Sequence, residues 1–100
     1  MALKIIFMGT PDFAVPILQA IHFSDHKILE VYTQPPTKSG RGQKINYSNI
    51  HNYSEKLNLK VRCPTALEAS EEIIHIKKLN PDVVVVVAYG KIIPTEMLNI

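Results

Sequence analysis

The chain has 100 residues, 46% of them hydrophobic, and a formal net charge of +2. This length allows at most one small domain, and no apolar stretch approaches the ~20 residues of a membrane-spanning helix. The single cysteine excludes an internal disulfide and predicts a reduced, cytoplasmic setting. The charge is too small for a general nucleic-acid binder, but Lys38, Arg41 and Lys44 concentrate enough of it for one local phosphate contact.

The first predicted element is a buried strand that leads directly into a helix. An apolar run at residues 4–8 meets the turn Gly9-Thr10-Pro11, and helical spacing follows over residues 13–22, with Pro16 in the first turn. The apolar residues expected to face the sheet are Phe13, Ile17, Leu18 and Ile21. A strand, turn and helix in this order expose backbone N–H groups at the carboxyl edge of a parallel sheet, where ligands bind.

The second strand is predicted over residues 27–33, and an irregular stretch follows it. Residues 34–44 contain two prolines and two glycines but no large apolar side chain, so we expect no regular structure there. The stretch exceeds the ~2–6 residues of an ordinary strand-to-helix connection, which indicates a functional or disordered loop. Arg41 stands between two glycines, and either a phosphate contact or a solvated loop fits it.

Helices and strands alternate through the rest of the chain. The patterns predict a helix over residues 48–57, a short strand over 60–63, a helix over 68–79 and a strand over 83–87. The last strand is all valine, which is typical of a central parallel strand covered by helices on each side. The order predicts an α/β fold with a Rossmann-like, doubly wound parallel sheet, of which this chain is the amino-terminal portion. The valine strand should then have a bare outer edge.

Two further patterns give weaker indications. The turn at Gly9 has Pro11 and Ala14 where a dinucleotide fingerprint has glycines, so an ordinary βα turn is favoured over NAD binding. Glu30, near the position of a ribose-binding acid, is expected within the second strand. No spacing typical of metal ligands or of a nucleophile elbow is present.

The remaining titratable residues are interpreted as surface groups. The four histidines, His22, His26, His51 and His75, are expected to be solvated, with His51 far from the strand ends. Glu71 and Glu72 are expected to form an exposed helix face.

The segment after the valine strand has two open interpretations. Gly90 permits an unusual backbone turn, and Ile92 and Ile93 precede Pro94. These residues either line a slot for a flat heterocycle at the carboxyl edge or close the core as a hydrophobic turn.

Three segments of the sequence carry a family resemblance. They are IIFMGTPDFA at residues 5–14, the stretch from YTQP at 32–35 to GRG at 40–42, and VVVAYGKIIP at 85–94. Together they resemble the amino-terminal part of the methionyl-tRNA formyltransferases, and the similarity runs over the whole chain. Residues 36–38 depart from the Asp-Arg-Pro that this family often has in the loop.

The resemblance implies a Rossmann-like formyltransferase domain, of which residues 1–100 are the amino-terminal part, followed by a smaller barrel domain. It implies transfer of a formyl group from 10-formyltetrahydrofolate to the amino group of methionyl-initiator tRNA in translation initiation. The expected enzyme is a cytoplasmic monomer that uses no metal and no nicotinamide and contacts no membrane. The alternatives are a formyltransferase-fold enzyme for a small amine and a non-catalytic Rossmann-like ligand-binding domain.

The same resemblance implies roles for individual residues. Those implied to contact the tRNA or its methionyl end are Gly9, Thr10, Pro11, Phe13, Lys38, Arg41 and Lys44. Those implied to line the folate pocket are Val86, Ala88, Tyr89, Gly90, Lys91, Ile92 and Ile93. The family's catalytic asparagine, histidine and aspartate fall beyond residue 100, and Asn49-Ile50-His51 is not their motif. The chain alone is therefore expected to be inactive.

Overall fold

The structure, a computed structural model, describes residues 2–39, 42, 44–65, 70–90 and 93. Its strands are β1 (Lys4–Gly9), β2 (Lys27–Tyr32), β3 (Thr37–Ser39), β4 (Lys44–Asn46), β5 (Val61–Arg62) and β6 (Val83–Val87). Its α-helices are α1 (Val15–His22), α2 (Asn49–Lys56) and α3 (Ser70–Leu79), and a 3-10 turn at Asp12–Ala14 precedes α1. Among the described residues, no helix has the length and apolar character needed to cross a membrane.

Four parallel strands form one sheet in the order β5-β2-β1-β6, and β3 and β4 form a separate antiparallel hairpin. Residues of β1 alternate between the two faces, because successive strand side chains point to opposite sides. Ile6 and Met8 pack toward α3, whereas Phe7 packs toward α1 and α2. All three are fully buried. The predicted α/β fold, with helices on both faces of a parallel sheet, is confirmed.

The start of the first helix differs from the prediction. Asp12–Ala14 is a 3-10 turn, and the α-helix begins only at Val15, with Pro16 in its first turn as predicted. Leu18 is buried against the sheet, but Phe13 is 63% exposed and Ile17 is 40% exposed. The expectation that these two face the sheet is wrong. Phe13 lies in the tighter 3-10 turn, which is out of register with the 3.6-residue period of the helix. Ile17 lies within α1 but is one residue from Leu18, and therefore about 100° around the helix from it.

The valine strand, β6, lies at the edge of the described sheet. The sequence predicted a central position for it. β6 pairs only with β1 in this part of the chain, and Val83 and Val86 are 39% and 45% exposed. The other three strands lie on one side of β6. The bare outer edge expected for this strand is therefore confirmed among the described residues.

The stretch predicted to be irregular contains a β-hairpin. Thr37 pairs with Asn46, Lys38 with Ile45 and Ser39 with Lys44. Gly42 lies between these strands with φ +85°, a conformation that glycine adopts without strain. Composition does not predict this hairpin, because cross-strand pairing stabilises short strands even when their side chains are polar.

The second half of the chain follows the predicted order. Ser48 caps α2, and its Oγ accepts a hydrogen bond of 3.0 Å from the His51 backbone N–H. β5 is shorter than predicted, at Val61–Arg62. The helix predicted from residue 68 is observed over Ser70–Leu79, and residues 66–69 lie outside the described part of the chain.

Two buried carboxylates, each with a half-buried partner, connect α3 to the sheet. Glu72 is buried and pairs with Arg62, whose Nη2 donates to its carboxylate at 2.9 Å. Glu30 lies within β2 as predicted, and His75 contacts it through Nε2 at 2.8 Å. The expectations of an exposed Glu72 and a solvated His75 are wrong, because Glu72 lies on the same helix face as Ile76 and both carboxylates need partners when they leave water.

Candidate functional site at the carboxyl edge of the sheet

The strands β1, β2 and β6 end side by side, and polar residues follow them. Thr10 comes directly after β1, Thr33 and Gln34 after β2, and Tyr89 shortly after β6. In parallel α/β sheets, ligands bind outside the carboxyl ends of the strands. This edge is therefore the candidate site, as the sequence predicted.

A chain of hydroxyl groups ties these strand ends together. The Thr10 hydroxyl donates to the Tyr89 backbone carbonyl at 2.9 Å and accepts from the Gln34 N–H at 3.3 Å. The Thr33 hydroxyl donates to Thr10 Oγ1 at 3.4 Å and lies 2.7 Å from Ser48 Oγ. Either hydroxyl can be the donor in the Thr33–Ser48 contact. The hydroxyls thus form one continuous chain from the start of α2 to the turn after β6.

The backbone at this edge is closely packed and partly strained. A Cβ on Gly9 would lie 2.9 Å from the Phe7 ring and 3.0 Å from the Val87 carbonyl oxygen, so only glycine fits without movement. Ala88 has φ +47° and Gly90 has φ +86°. A left-handed alanine is uncommon, and such conformations concentrate at ligand sites. A Cβ on Gly90 would lie 1.9 Å from Gln34 Nε2, which itself donates to the Tyr89 carbonyl at 3.2 Å.

A cavity of about 190 Å³ opens between the sheet edge and the hairpin. Among the described residues, its lining consists of uncharged side chains, most of them hydroxyl- or amide-bearing: Thr10, Gln34, Pro35, Thr37, Asn46, Tyr47 and Ser48. A larger groove of about 500 Å³ lies between α1 and α2 and includes Asp12 and Asn49, whose side chains are hydrogen-bonded to each other. We favour the smaller cavity because polar groups that follow β1 and β2 and the residue that caps α2 converge in its lining.

The residues implied to contact tRNA are divided between the edge and the hairpin. Gly9, Thr10 and Pro11 lie at the edge, and Phe13 projects into solvent from the 3-10 turn. Lys38 and Lys44 are both exposed on the hairpin. Lys38 is paired with Ile45, and Lys44 is paired with Ser39. Paired residues share a face and neighbouring residues on a strand point to opposite faces, so the two lysines lie on opposite faces of the hairpin. Arg41 lies outside the described residues.

The residues implied to line the folate pocket also have different environments. Val86, Ala88 and Gly90 are exposed on β6 and the turn after it. The side chain of Tyr89 is buried in the core beneath α3, and Ile93 packs against the same cluster. Only the backbone carbonyl of Tyr89 bonds to the edge residues. Lys91 and Ile92 lie outside the described residues.

Burial is the largest cause of the shifted pKa of the tyrosine at this edge. The pKa of Tyr89 is raised to about 12, first by burial and then by Cys63 and Glu72. Its hydroxyl has no hydrogen-bond partner in the part of the chain that the structure describes. The described residues also hold no group of three histidine, cysteine or acidic side chains placed to bind a metal ion. The described edge offers positioning contacts and contains no charged acid–base group.

One histidine lies closer to the strand ends than the sequence indicated. His51 Nδ1 is 3.3 Å from the sulfur of Cys63, which directly follows β5. His26 also has a partner, since its Nδ1 accepts from the Leu3 N–H at 2.9 Å. The prediction of solvated histidines is therefore wrong for His26, His51 and His75.

The sequence interpretation missed three residues of the hydroxyl chain, Thr33, Gln34 and Ser48. Polar side chains placed directly after an apolar parallel strand were the available signal for Thr33 and Gln34. Ser48 was recognisable only as the start of a helix. Its contact with Thr33 depends on how α2 packs against the sheet.

Comparison with known proteins places the chain in a family. Residues 3–100 match the family model described as formyl transferase. The chain belongs to the formyl transferase family. It is 52% identical over 101 residues to the methionyl-tRNA formyltransferase of Pelagibacter ubique (strain HTCC1062), spanning 100% of this chain and 33% of that protein.

Two further relatives carry the same name. The methionyl-tRNA formyltransferases of Jannaschia sp. (strain CCS1) and Sulfurihydrogenibium sp. (strain YO3AOP1) are 46% and 48% identical over 97% and 98% of this chain. The chain covers 32% of each, so it spans about a third of the length of these relatives. The family resemblance predicted from the three sequence segments is confirmed.

Proposed function

We propose that the protein carrying this chain transfers a formyl group from 10-formyltetrahydrofolate to the amino group of methionyl-initiator tRNA. The observation that carries this proposal is 46–52% identity, over nearly the whole chain, to proteins named methionyl-tRNA formyltransferase. Residues 1–100 would supply the amino-terminal part of the formyltransferase domain. The enzyme is proposed to act as a cytoplasmic monomer.

The turn after β6 is proposed as one wall of the folate site. Ala88 and Gly90 are exposed and hold left-handed backbone conformations, which turn backbone polar groups away from the regular sheet pattern. Such groups beside apolar side chains suit a flat heterocycle with polar edges. The proposed wall comprises Val86, Ala88, Tyr89, Gly90, Lys91, Ile92 and Ile93.

The edge of β1 and the hairpin are proposed to receive the tRNA. Gly9, Thr10, Pro11 and Phe13 would border the methionyl end. Lys38 and Lys44 are exposed on opposite faces of the hairpin, and together with Arg41 they would contact phosphates. This basic hairpin favours tRNA over a small amine as the acceptor, because charge-assisted contacts to phosphates supply much of nucleic-acid affinity.

In the proposed reaction, the role of this part of the protein is to position the reactants. The methionyl amine attacks the formyl carbon, a tetrahedral oxyanion forms, and a base takes the amine proton. When bound, the folate supplies the formyl group. The hydroxyl chain from Ser48 to Thr10 fixes the strand ends around the acceptor, whereas the acid–base residues expected for the family fall beyond residue 100.

The test is formyl transfer by the full-length protein, with methionyl-tRNA compared against small amines. We expect formylated methionyl-tRNA, and we expect Arg41→Ala to weaken tRNA binding by ~1–3 kcal/mol, the range of charge-assisted phosphate contacts. Lys78→Ala is the matched control, because it removes an exposed basic residue from α3. Formylation of a small amine but not of methionyl-tRNA would contradict the proposal. An Arg41→Ala variant with normal tRNA affinity across a range of salt would contradict its phosphate-contact part.

A further inference from the structure

A cysteine, a histidine and a glutamate lie in line at the end of β5. Cys63 Sγ is 3.3 Å from His51 Nδ1, and His51 Nε2 is 2.6 Å from Glu55 Oε1. Cys63 is half-buried, and the His51 side chain is only 15% exposed. None of the three belongs to the hydroxyl chain or to the residues proposed to bind substrate.

The Glu55 contact determines which nitrogen of His51 carries the proton and which is free to act as a base toward the thiol. An ionised carboxylate can only accept hydrogen bonds, so His51 Nε2 carries the proton in this pair. The neutral imidazole then presents the lone pair of Nδ1 to Cys63. A nucleophile beside a base that is oriented by a third group is the arrangement that activates hydroxyl and thiol nucleophiles in enzymes.

We propose that Cys63 is a nucleophilic thiol that forms a mixed disulfide with low-molecular-weight disulfides, with His51 as its base. As the Cys63 sulfur bonds to one sulfur of the disulfide, its proton passes to His51 Nδ1 and the original S–S bond breaks. The electron pair leaves with the departing thiolate, which takes the proton from the imidazolium. The products are the protein mixed disulfide and one small thiol.

The need for a base follows from the surroundings of Cys63. Burial and the nearby Glu55 carboxylate both raise the pKa of the thiol, so little thiolate exists before the reaction. Thiolate, and not thiol, attacks a disulfide. Proton transfer to His51 during attack supplies the thiolate where it is used.

The test treats the full-length protein with hydroxyethyl disulfide, a small uncharged probe, and follows the Cys63 peptide by mass spectrometry. We expect a mixed disulfide at Cys63 in the wild type. His51→Gln should slow its formation by about tenfold or more, since a general base typically contributes at least that factor. Glu55→Gln, an exposed substitution, should slow it less.

The matched control is His22→Gln, which removes a histidine from α1 and should leave the Cys63 rate unchanged. Circular dichroism verifies that each variant is folded, and Glu55→Gln carries the test if His51→Gln is not. Absence of an adduct at Cys63, or equal rates in the wild type and the folded His51 and Glu55 variants, would overturn the proposal. A His22→Gln variant that is slowed as much as His51→Gln would also overturn it.

Discussion

The carboxyl edge of the sheet and the face beneath α3 use polar groups in opposite ways. Beneath α3, the Glu72 carboxylate forms an ion pair with the Arg62 guanidinium, and the Glu30 carboxylate contacts the His75 imidazole. At the edge, the described hydrogen bonds join uncharged hydroxyl, amide and carbonyl groups. Two paired carboxylates anchor a helix, whereas the neutral edge positions strand ends without placing a fixed charge where a substrate would bind.

Substitutions in these two polar regions should therefore change the stability of the fold by different amounts. A buried ion pair that loses one partner leaves an uncompensated charge, so the cost appears in the stability of the fold. A neutral hydrogen bond at a half-exposed edge costs less, because water can replace part of it. The variants below test this difference, beginning with the largest expected effect.

Removing the cation beneath α3 should be the most damaging change. Arg62→Met removes the cation beside the buried Glu72 carboxylate and leaves the weak hydrogen bond from the Tyr32 hydroxyl at 3.4 Å, so we expect a loss of about 2–3 kcal/mol in unfolding free energy. This is less than the ~3–5 kcal/mol of a fully buried pair, because Arg62 is 38% exposed. Denaturant unfolding of the full-length protein measures it, with Lys77→Met on the exposed side of α3 as the control. A loss equal to that of the control would show that the pair contributes nothing.

A side chain at the turn after β6 should affect both stability and folate binding. Gly90→Ala places a Cβ against Gln34 in a left-handed conformation, and we expect a loss of about 2 kcal/mol together with weakened folate affinity. Gly42→Ala is the matched control, since Gly42 has φ +85° with nothing within 4 Å of its Cβ.

The difference between these two glycine variants isolates the Gln34 contact from backbone strain. Calorimetry of the full-length protein should show weaker folate binding for Gly90→Ala alone, with near-native tRNA affinity in that variant. Unchanged folate binding in Gly90→Ala would place the folate site elsewhere.

Interrupting the hydroxyl chain should have a smaller effect. Thr10→Val keeps the side-chain shape but leaves the Tyr89 carbonyl and the Gln34 N–H without the hydroxyl. We expect a loss of about 1–1.5 kcal/mol by denaturant unfolding. Thr10→Ser retains the hydroxyl and should recover most of it. If the serine and valine variants are equally destabilised, the lost methyl or shape, and not the hydrogen bond, matters at this position.

The smallest expected effect is an increase in the free energy of unfolding. Tyr89→Phe removes a buried hydroxyl that has no partner among the described residues, and we expect a stabilisation of about 1 kcal/mol near neutral pH. Because folding raises the pKa of Tyr89 from 10.0 to about 12, the native state holds the phenol proton more tightly. The wild-type protein should therefore lose stability as the pH rises from about 10 toward 12.

Tyr89→Phe should lose less stability over that alkaline range. Unfolding curves at several alkaline pH values measure the difference, with the exposed Tyr47→Phe as the control for removal of one tyrosine. Equal alkaline losses in Tyr89→Phe and the wild type would contradict the role of Tyr89.

Local patterns in the sequence predicted the main elements of the fold. β-branched runs predicted β1 and β6, and Ser48 predicted the start of α2, because these signals depend on neighbouring residues. The hairpin was missed since its strands are short and polar. The exposure of Phe13 was missed because a 3-10 turn and an α-helix place the same residue on different faces.

The candidate site was predicted as a location and less well as a set of residues. The carboxyl edge follows from any parallel sheet, so Thr10 and the turn at Gly90 were identified. Contacts such as His51–Cys63 and His75–Glu30 join different elements, and spacing along one element does not reveal them. Glu72 could have been recognised, because it precedes Ile76 by four residues and therefore shares its buried face.

The hydrogen bonds of Thr10 limit what this residue can offer to a molecule in the cavity that it lines. Its hydroxyl gives its single proton to the Tyr89 carbonyl and accepts from the Gln34 N–H and from Thr33 Oγ1. A hydroxyl has one proton and two lone pairs, so all of its hydrogen-bonding capacity is in use. Thr10 can therefore shape the cavity wall without taking part in recognition, which falls to the other side chains of the described lining.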